Sequence, residues 1–235
     1  YNQCVRICIF FNKTKKLCST NHSLCYFCYR MIVNTPHILK YISPDLIWSI
    51  KTTRKEIFLT LDDGPHPHIT SWVLDCLKDH NSSATFFCVG ENVCKYPKVF
   101  DSIIENGNDV GNHTYNHLNG WKTRNDQYVK NILKAGKHID TNYFRPPYGR
   151  ITPSQIKSLR DNYKIIMWSI LTCDFDSNVG MKQCLRNSIK YTKSGSIVVF
   201  HDSEKSQSNL KYALPKFLRH FIDQGYRIRS ISKGI

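Results

Sequence analysis

Leu59-Thr60-Leu61-Asp62-Asp63-Gly64-Pro65 is the end of an apolar run that stops abruptly at two adjacent carboxylates and a Gly-Pro turn. Such a pattern fits a buried strand, Ile57–Leu61, whose carboxyl end opens into a loop. Barrel-type α/β folds collect their catalytic groups at that end. Successive strand residues point to opposite faces, so Asp62 and Asp63 can hold different tasks, one binding a metal while the other faces a substrate. Taken alone, an Asp-Asp-Gly turn is ordinary solvated punctuation. It gains weight from the stretches that follow it.

Downstream, short apolar runs alternate with helical spacing. Ile69–Lys78 reads as a helix, Thr85–Val89 as a strand, Val93–Glu105 as one helix, Asp109–Asn112 as a short strand and Asp126–Ile139 as a helix. Pro146-Pro147 stops any regular element after Tyr143-Phe144. Thr152–Asp161, Met181–Tyr191 and Leu210–Asp223 read as helices, and Lys164–Ser169, Ser196–Phe200 and Tyr226–Ile231 as strands. About seven strand–helix units imply a parallel α/β barrel or a doubly wound sheet.

The 235 residues hold one sizeable domain with a core, and 41% hydrophobic residues describe a globular chain. A net charge of +15 favours anionic surroundings. The basic residues are dispersed, which argues against a specific nucleic-acid groove. Residues 1–30 stand apart: they hold Arg6, Lys13, Lys15, Lys16 and Arg30, no acid, and Cys4, Cys8, Cys18, Cys25 and Cys28. Translation is expected to start at Met31, leaving 1–30 as upstream sequence or a variable tail, with a metal-binding or membrane-associating tail as the rival. Cys25-Tyr-Phe-Cys28 with His22 nearby is a weak redox or zinc signal, since no second pair stands at finger spacing. Residues 31–54, broken by Pro36 and Pro44, read as a lead-in that packs on a domain spanning 55–235. Cys76, Cys88, Cys94, Cys173 and Cys184 are expected to be small buried residues in a reducing compartment. No stretch is long and apolar enough to span a bilayer. Together these favour the cytoplasm, with the cell envelope as the alternative.

Four more stretches carry chemistry. His113-Thr-Tyr-Asn-His117 follows the strand Asp109–Asn112, and if the chain turns helical there the two imidazoles share a face. With Asp63 they make two nitrogens and one oxygen, the open kind of set that leaves room for water and substrate. Zn²⁺ fits best, with Co²⁺, Ni²⁺ and Fe²⁺ allowed by the same ligand types. Arg145 precedes the stiff turn Pro146-Pro147-Tyr148-Gly149, and a two-pronged ion pair with a carboxylate is expected for it. His201 ends the apolar run Ile197–Phe200, and Asp174 could orient it and raise its pKa.

In order, these five stretches resemble the polysaccharide deacetylase family, also called the chitooligosaccharide-deacetylase or NodB-homology domain, over about residues 55 to 231. The resemblance implies a distorted (β/α) barrel, a divalent metal and hydrolysis of an acetyl group from a sugar. It assigns Asp62 as base, Asp63, His113 and His117 as metal ligands, Arg145 as the partner of the base, His201 as acid and Asp174 as the carboxylate that tunes it. Pro147, Tyr148, Phe175 and Val199 are expected to line the substrate's path, with the Tyr148 backbone N–H on the oxyanion. Phe175 stands where the family often has Trp, and Val199 where Leu is usual, so the departures bear on substrate choice. The implied function is N-deacetylation of an acetylated glycan or amino sugar. The alternatives are an O-acetyl esterase acting on xylan or another glycan, and a silent glycan-binding module.

Overall fold

A computed structural model of the chain describes residues 33–36 and 43–235. The expectations for 1–30, including the Cys25/Cys28 pair and the start at Met31, lie outside the described residues.

Among the described residues, nine strands form one parallel sheet. They are β1 (Leu46–Ile47), β2 (Glu56–Asp62), β3 (Thr85–Cys88), β4 (Asp109–Asn112), β5 (Tyr143–Phe144), β6 (Lys164–Ile166), β7 (Ile170–Leu171), β8 (Ile197–His201) and β9 (Arg227–Arg229). The order is β1-β6-β5-β4-β3-β2-β8-β7, and β9 pairs with the start of β2. β6 and β7 are parted only by Met167–Ser169, so the stretch 164–171 pairs first with β5 and then with β8. The sheet is thus carried back on itself by the chain, giving the expected barrel in distorted form. The lead-in fills this seam: β1 pairs with β6, and Ser49 bridges Ser196 just before β8.

Helices α1 (Ile69–Asp79), α2 (Gly90–Lys95), α3 (Pro97–Glu105), α4 (Asn125–Gly136), α5 (Pro153–Leu159), α6 (Met181–Lys190) and α7 (Gln207–Ile222) follow their strands around the outside. The single helix expected over Val93–Glu105 is two. Pro97 disfavours helical backbone at Tyr96, and the chain restarts with the proline in its first turn. The strand expected over Lys164–Ser169 likewise ends at Ile166, where the seam bends.

All seven residues of β2 are buried, as in a parallel sheet covered on both faces. Ile57, Leu59 and Leu61 pack outward under the helices, while Phe58 joins Phe87, Ile166 and Ile197 inside the barrel. By alternation Thr60 and Asp62 also face the interior. Four of the described cysteines are buried and free as expected, but Cys94 is exposed. It lies on the outer face of α2, away from the sheet.

Candidate active site

Strand register places the first two candidate residues. Asp62 pairs with His201 of β8 on one side and Phe87 of β3 on the other. Neighbouring strands lie about 4.8 Å apart, so the carboxylate and the imidazole project side by side at the carboxyl end of the barrel.

Arg145 follows β5 and is fully buried. Its Nη1 donates to Asp62 Oδ1 at 2.6 Å and to Thr60 Oγ1 at 2.7 Å; Nε donates to the Ile166 carbonyl at 3.1 Å and Nη2 to the Met167 carbonyl at 2.9 Å. The two-pronged carboxylate pair is therefore corrected to a single prong. The bend after β6 turns two carbonyls inward, and they take the rest of the fork. A buried guanidinium is costly unless its donors are used, and here they are. The cation also lies 4.1 Å from the centre of the Phe87 ring. That ring in turn leans over Gly111, where a Cβ would come within 2.5 Å of it.

Asp63 leaves β2 with φ 82, a left-handed turn that aims its carboxylate at the two histidines. His117 Nε2 lies 3.2 Å and His113 Nε2 3.8 Å from Asp63 Oδ1. No helix joins these histidines. Thr114 (φ 64) and His117 (φ 55) are left-handed, and the loop is held from α4, where Asn131 Oδ1 accepts from the N–H groups of Tyr115 and Asn116. His113 Nδ1 sits 2.8 Å from the Arg145 carbonyl, which only accepts, so Nδ1 carries the proton and Nε2 keeps a lone pair toward Asp63. His117 Nδ1 meets the Tyr148 hydroxyl at 3.1 Å.

The three donor groups lie within 4.8 Å of one another. Burial pulls the pKa of His113 down to about 4. Burial also pushes Asp63 up, but the His117 hydrogen bond and the charges of His201, His113 and His117 outweigh it and hold the carboxyl below the usual range. A neutral imidazole beside an ionised carboxylate is the state a divalent cation requires, so the donor set fits a metal.

His201 Nδ1 is 2.7 Å from Asp174 Oδ1, and its backbone N–H donates to Asp174 Oδ2 at 2.7 Å. Burial lowers the imidazole's pKa, but the charge and hydrogen bond of Asp174, with Asp63 and Asp62 nearby, push it up to about 9. Phe175 stands edge-on to His201 at 4.9 Å. Pro147 is buried, and the exposed Tyr148 has φ 60 in the turn Pro147–Gly149. Val199 lies beneath His201 in the same strand. Two residues before His201, it faces the barrel one layer deeper, is fully buried, and pairs with Thr60.

Thr60, Phe87, Gly111 and Asn131 were not legible as site residues, because each acts on a partner far away in sequence. Asp202 was equally silent. Its carboxylate accepts from Gly64 N–H at 3.1 Å and from the Thr70 hydroxyl, tying the loop after Asp63 to β8. A Cβ at Gly64 would run into that carboxylate. Burial pushes Asp202 up to about 7. An acid directly after the strand-ending His201 was the one available signal.

The parallel barrel thus gathers an Asp-His-His donor set, a buried Asp–Arg pair and an Asp–His pair at one end. The family profile described as polysaccharide deacetylase matches residues 49–163. The chain is 33% identical over 193 residues to a peptidoglycan-N-acetylglucosamine deacetylase of Bacillus cereus, covering 79% of this chain and 91% of that protein. To the peptidoglycan-N-acetylglucosamine deacetylase PgdA of Listeria monocytogenes it is 34% identical over 188 residues, 77% of this chain but only 39% of that longer protein. The crystal structure of the Bc1960 peptidoglycan N-acetylglucosamine deacetylase, in complex with a naphthyl-substituted N-hydroxybenzamide, superposes with a TM-score of 0.78 at 30% identity, covering 86% of this chain and 97% of that one. The fold is also that of BA3943, a pseudoenzyme of carbohydrate esterase family 4 from Bacillus anthracis, with a TM-score of 0.72 at 24% identity over 83% of this chain and 70% of that one. The chain belongs to the polysaccharide deacetylase family.

Proposed function

We propose that the protein is a metal-dependent hydrolase that removes acetyl groups from N-acetylated amino sugars of a glycan, of the kind found in peptidoglycan. The observation that carries this reading is the pairing of Asp62 with His201 across β2 and β8, each with its own charged partner, beside the donor set of Asp63, His113 and His117.

Those three residues would hold Zn²⁺ or a similar cation, which when bound supplies Lewis-acid polarisation of the acetyl carbonyl and lowers the pKa of water. Asp62 takes the proton from the attacking water, and Arg145 fixes the carboxylate that receives it. The Tyr148 backbone N–H donates to the oxyanion. Asp174 holds His201 at Nδ1, so the proton for the leaving amine departs from Nε2. An amine leaves poorly unless protonated, and an imidazolium that persists through neutral pH meets that need.

A second reading, O-acetyl ester hydrolysis on xylan, is favoured by one observation: 28% identity over 187 residues to a bifunctional xylanase/deacetylase of Pseudobutyrivibrio xylanivorans, covering 77% of this chain and 30% of that protein. The test is acetate release from N-acetylglucosamine oligomers and from acetylated xylan by the zinc-loaded protein, with a chelated control and Asp62→Asn alongside. N-acetyl release should fall by roughly 10²–10⁴ in Asp62→Asn with metal still bound. Release from xylan alone selects the second reading. No release from either, with metal bound, leaves a silent glycan-binding module.

A further inference from the structure

We propose that the barrel carries a second binding site, a cationic cleft for an acidic glycan, at the end opposite the catalytic strand termini. β2 joins the two ends: Asp62 closes one and Glu56 begins the other, about 20 Å apart along the strand.

Two hollows meet there. One of about 730 Å³ lies between the C-terminal ends of α1, α3 and α7 and strand β9. The other, of about 400 Å³, is lined by Arg54, Lys55, Glu56, Gly225 and Arg227. Arg227 lines both, so the two hollows adjoin at that residue. The permanent cations of the lining are Arg54, Lys55, Lys78, Arg227 and Arg229, and its carboxylate is Glu56 alone. Glu56 is already engaged by Arg229 at 3.1 Å and by the Thr52 hydroxyl at 3.2 Å. Asp79 and Asp223, at the ends of α1 and α7, lie outside the lining.

Basic residues commonly gather where helices end, because the exposed carbonyls attract them. Of the five cations only Lys78 stands in a last helical turn; the others come from the loop before β2 and from β9. Lys55 also donates to the Gln224 carbonyl just past α7 at 3.1 Å, so helix ends account for two of the five cations and leave Arg54, Arg227 and Arg229 as the excess. The hydrogen-bonding groups between the cations are side-chain amides and hydroxyls, Asn81, Ser82 and Asn106 among them, which suit sugar hydroxyls. Two rings stand in the lining: Tyr226, with Lys55 over its face at 5.7 Å and Phe221 packed nearly perpendicular at 5.3 Å, and the His80 imidazole, whose Nδ1 is held 2.8 Å from the Cys76 carbonyl of α1. One phenol with a cation over it and one imidazole tied to α1 make no row of rings on which successive bases could stack, so the cleft favours an acidic glycan over a nucleic acid. The inference rests on the deacetylase reading in one respect, that a protein handling glycan polymers has use for a second hold on one.

The test compares the full chain with the charge-reversed Arg54→Glu/Arg227→Glu variant and, at lower structural risk, Arg54→Gln/Arg227→Gln. Calorimetric titration uses hyaluronan oligomers as the carboxylate glycan, poly(glycerol phosphate) as the phosphate polymer, and duplex DNA as competitor. Hyaluronan oligomers should bind the native protein at least tenfold more tightly than either variant; such binding by poly(glycerol phosphate) alone overturns the glycan assignment. The slope of log affinity against log salt should fall by roughly one to two in the variants. Acetate release from short neutral N-acetylglucosamine oligomers should stay within about twofold of native, so a failure of the catalytic reading is seen separately from a failure of this one. Equal binding by native and variant proteins overturns the proposal. DNA binding as tight as that of the acidic polymers overturns it as well.

Discussion

Arg145 shows how much of the site depends on a single buried cation. It is tied to Asp62, Thr60 and two carbonyls, and it rests on Phe87, which rests on Gly111. Gly111→Ala should push the ring into the guanidinium, costing about 1–3 kcal/mol of stability by overpacking and lowering kcat about tenfold. Denaturant unfolding and steady-state rates check both effects. Phe87→Met keeps volume but removes the aromatic face, so it should lose several-fold in kcat. Phe87→Tyr should recover most of it, whereas equal losses in the two variants would point to packing alone. His201 carries the pH dependence. Its pKa rises from 6.5 to about 9, so stabilisation from the Asp174 pair is complete below about 6.5 and is lost as pH climbs through about 9. Turnover should decline on the same alkaline limb, because the acid is then deprotonated. Asp174→Asn should move that limb down by a pH unit or more in a pH–rate profile, and an unmoved limb rejects the pairing.

The elements that carry the site are joined by loops with unusual backbone. Asp63, Thr114, His117, Tyr148 and Cys173 all have positive φ, and all flank the metal set or the Asp174–His201 pair. Such conformations cost energy in residues other than glycine, and tertiary contacts must hold them. Asp202 supplies one of those contacts between β8 and the loop leading to α1. Asp202→Ala would strand the Gly64 N–H and the Thr70 hydroxyl, costing about 1–3 kcal/mol in urea unfolding. Asp202→Asn keeps an acceptor and should cost less. The pKa of Asp202 is raised from 3.8 to about 7, so the stability this gives is full below 3.8 and is lost as pH rises through about 7. The asparagine variant cannot ionise, so the gap between it and the native protein should narrow from about pH 4 to about pH 7 and stay constant above that.

Across the whole molecule, metal binding should couple to stability. A cation that binds only the folded chain adds about 2.7 kcal/mol at a hundredfold excess over Kd, or roughly 5–10 °C in Tm for a chain this size. Asp63→Asn should abolish the shift in a thermal melt with added Zn²⁺, while Asp62→Asn should retain it. A shift of equal size in Asp63→Asn would place the metal elsewhere. The barrel gives the two proposals separate places: the candidate active site at the strand carboxyl ends and the proposed cationic cleft at the strand starts.

What the chain determined on its own was local. Apolar runs ending in Asp62-Asp63 and in Phe200-His201, with the short strand ending in Asn112-His113, marked both the strands and the ends where the candidate site gathers, because burial and chain direction are written in short-range pattern. Pro97 also marked its helix break, though the periodicity around it read through. Tertiary structure decided what required distant partners. It buried Arg145 against the seam at Ile166–Met167, bent the histidine loop onto Asn131, sank Val199 one layer below the site, and assembled the basal cleft from segments separated by up to 175 positions, Arg54 to Arg229. Strand register, and with it the pairing of Asp62 with His201, is a property of the closed sheet. No window of sequence contains both strands, so no local pattern could state it.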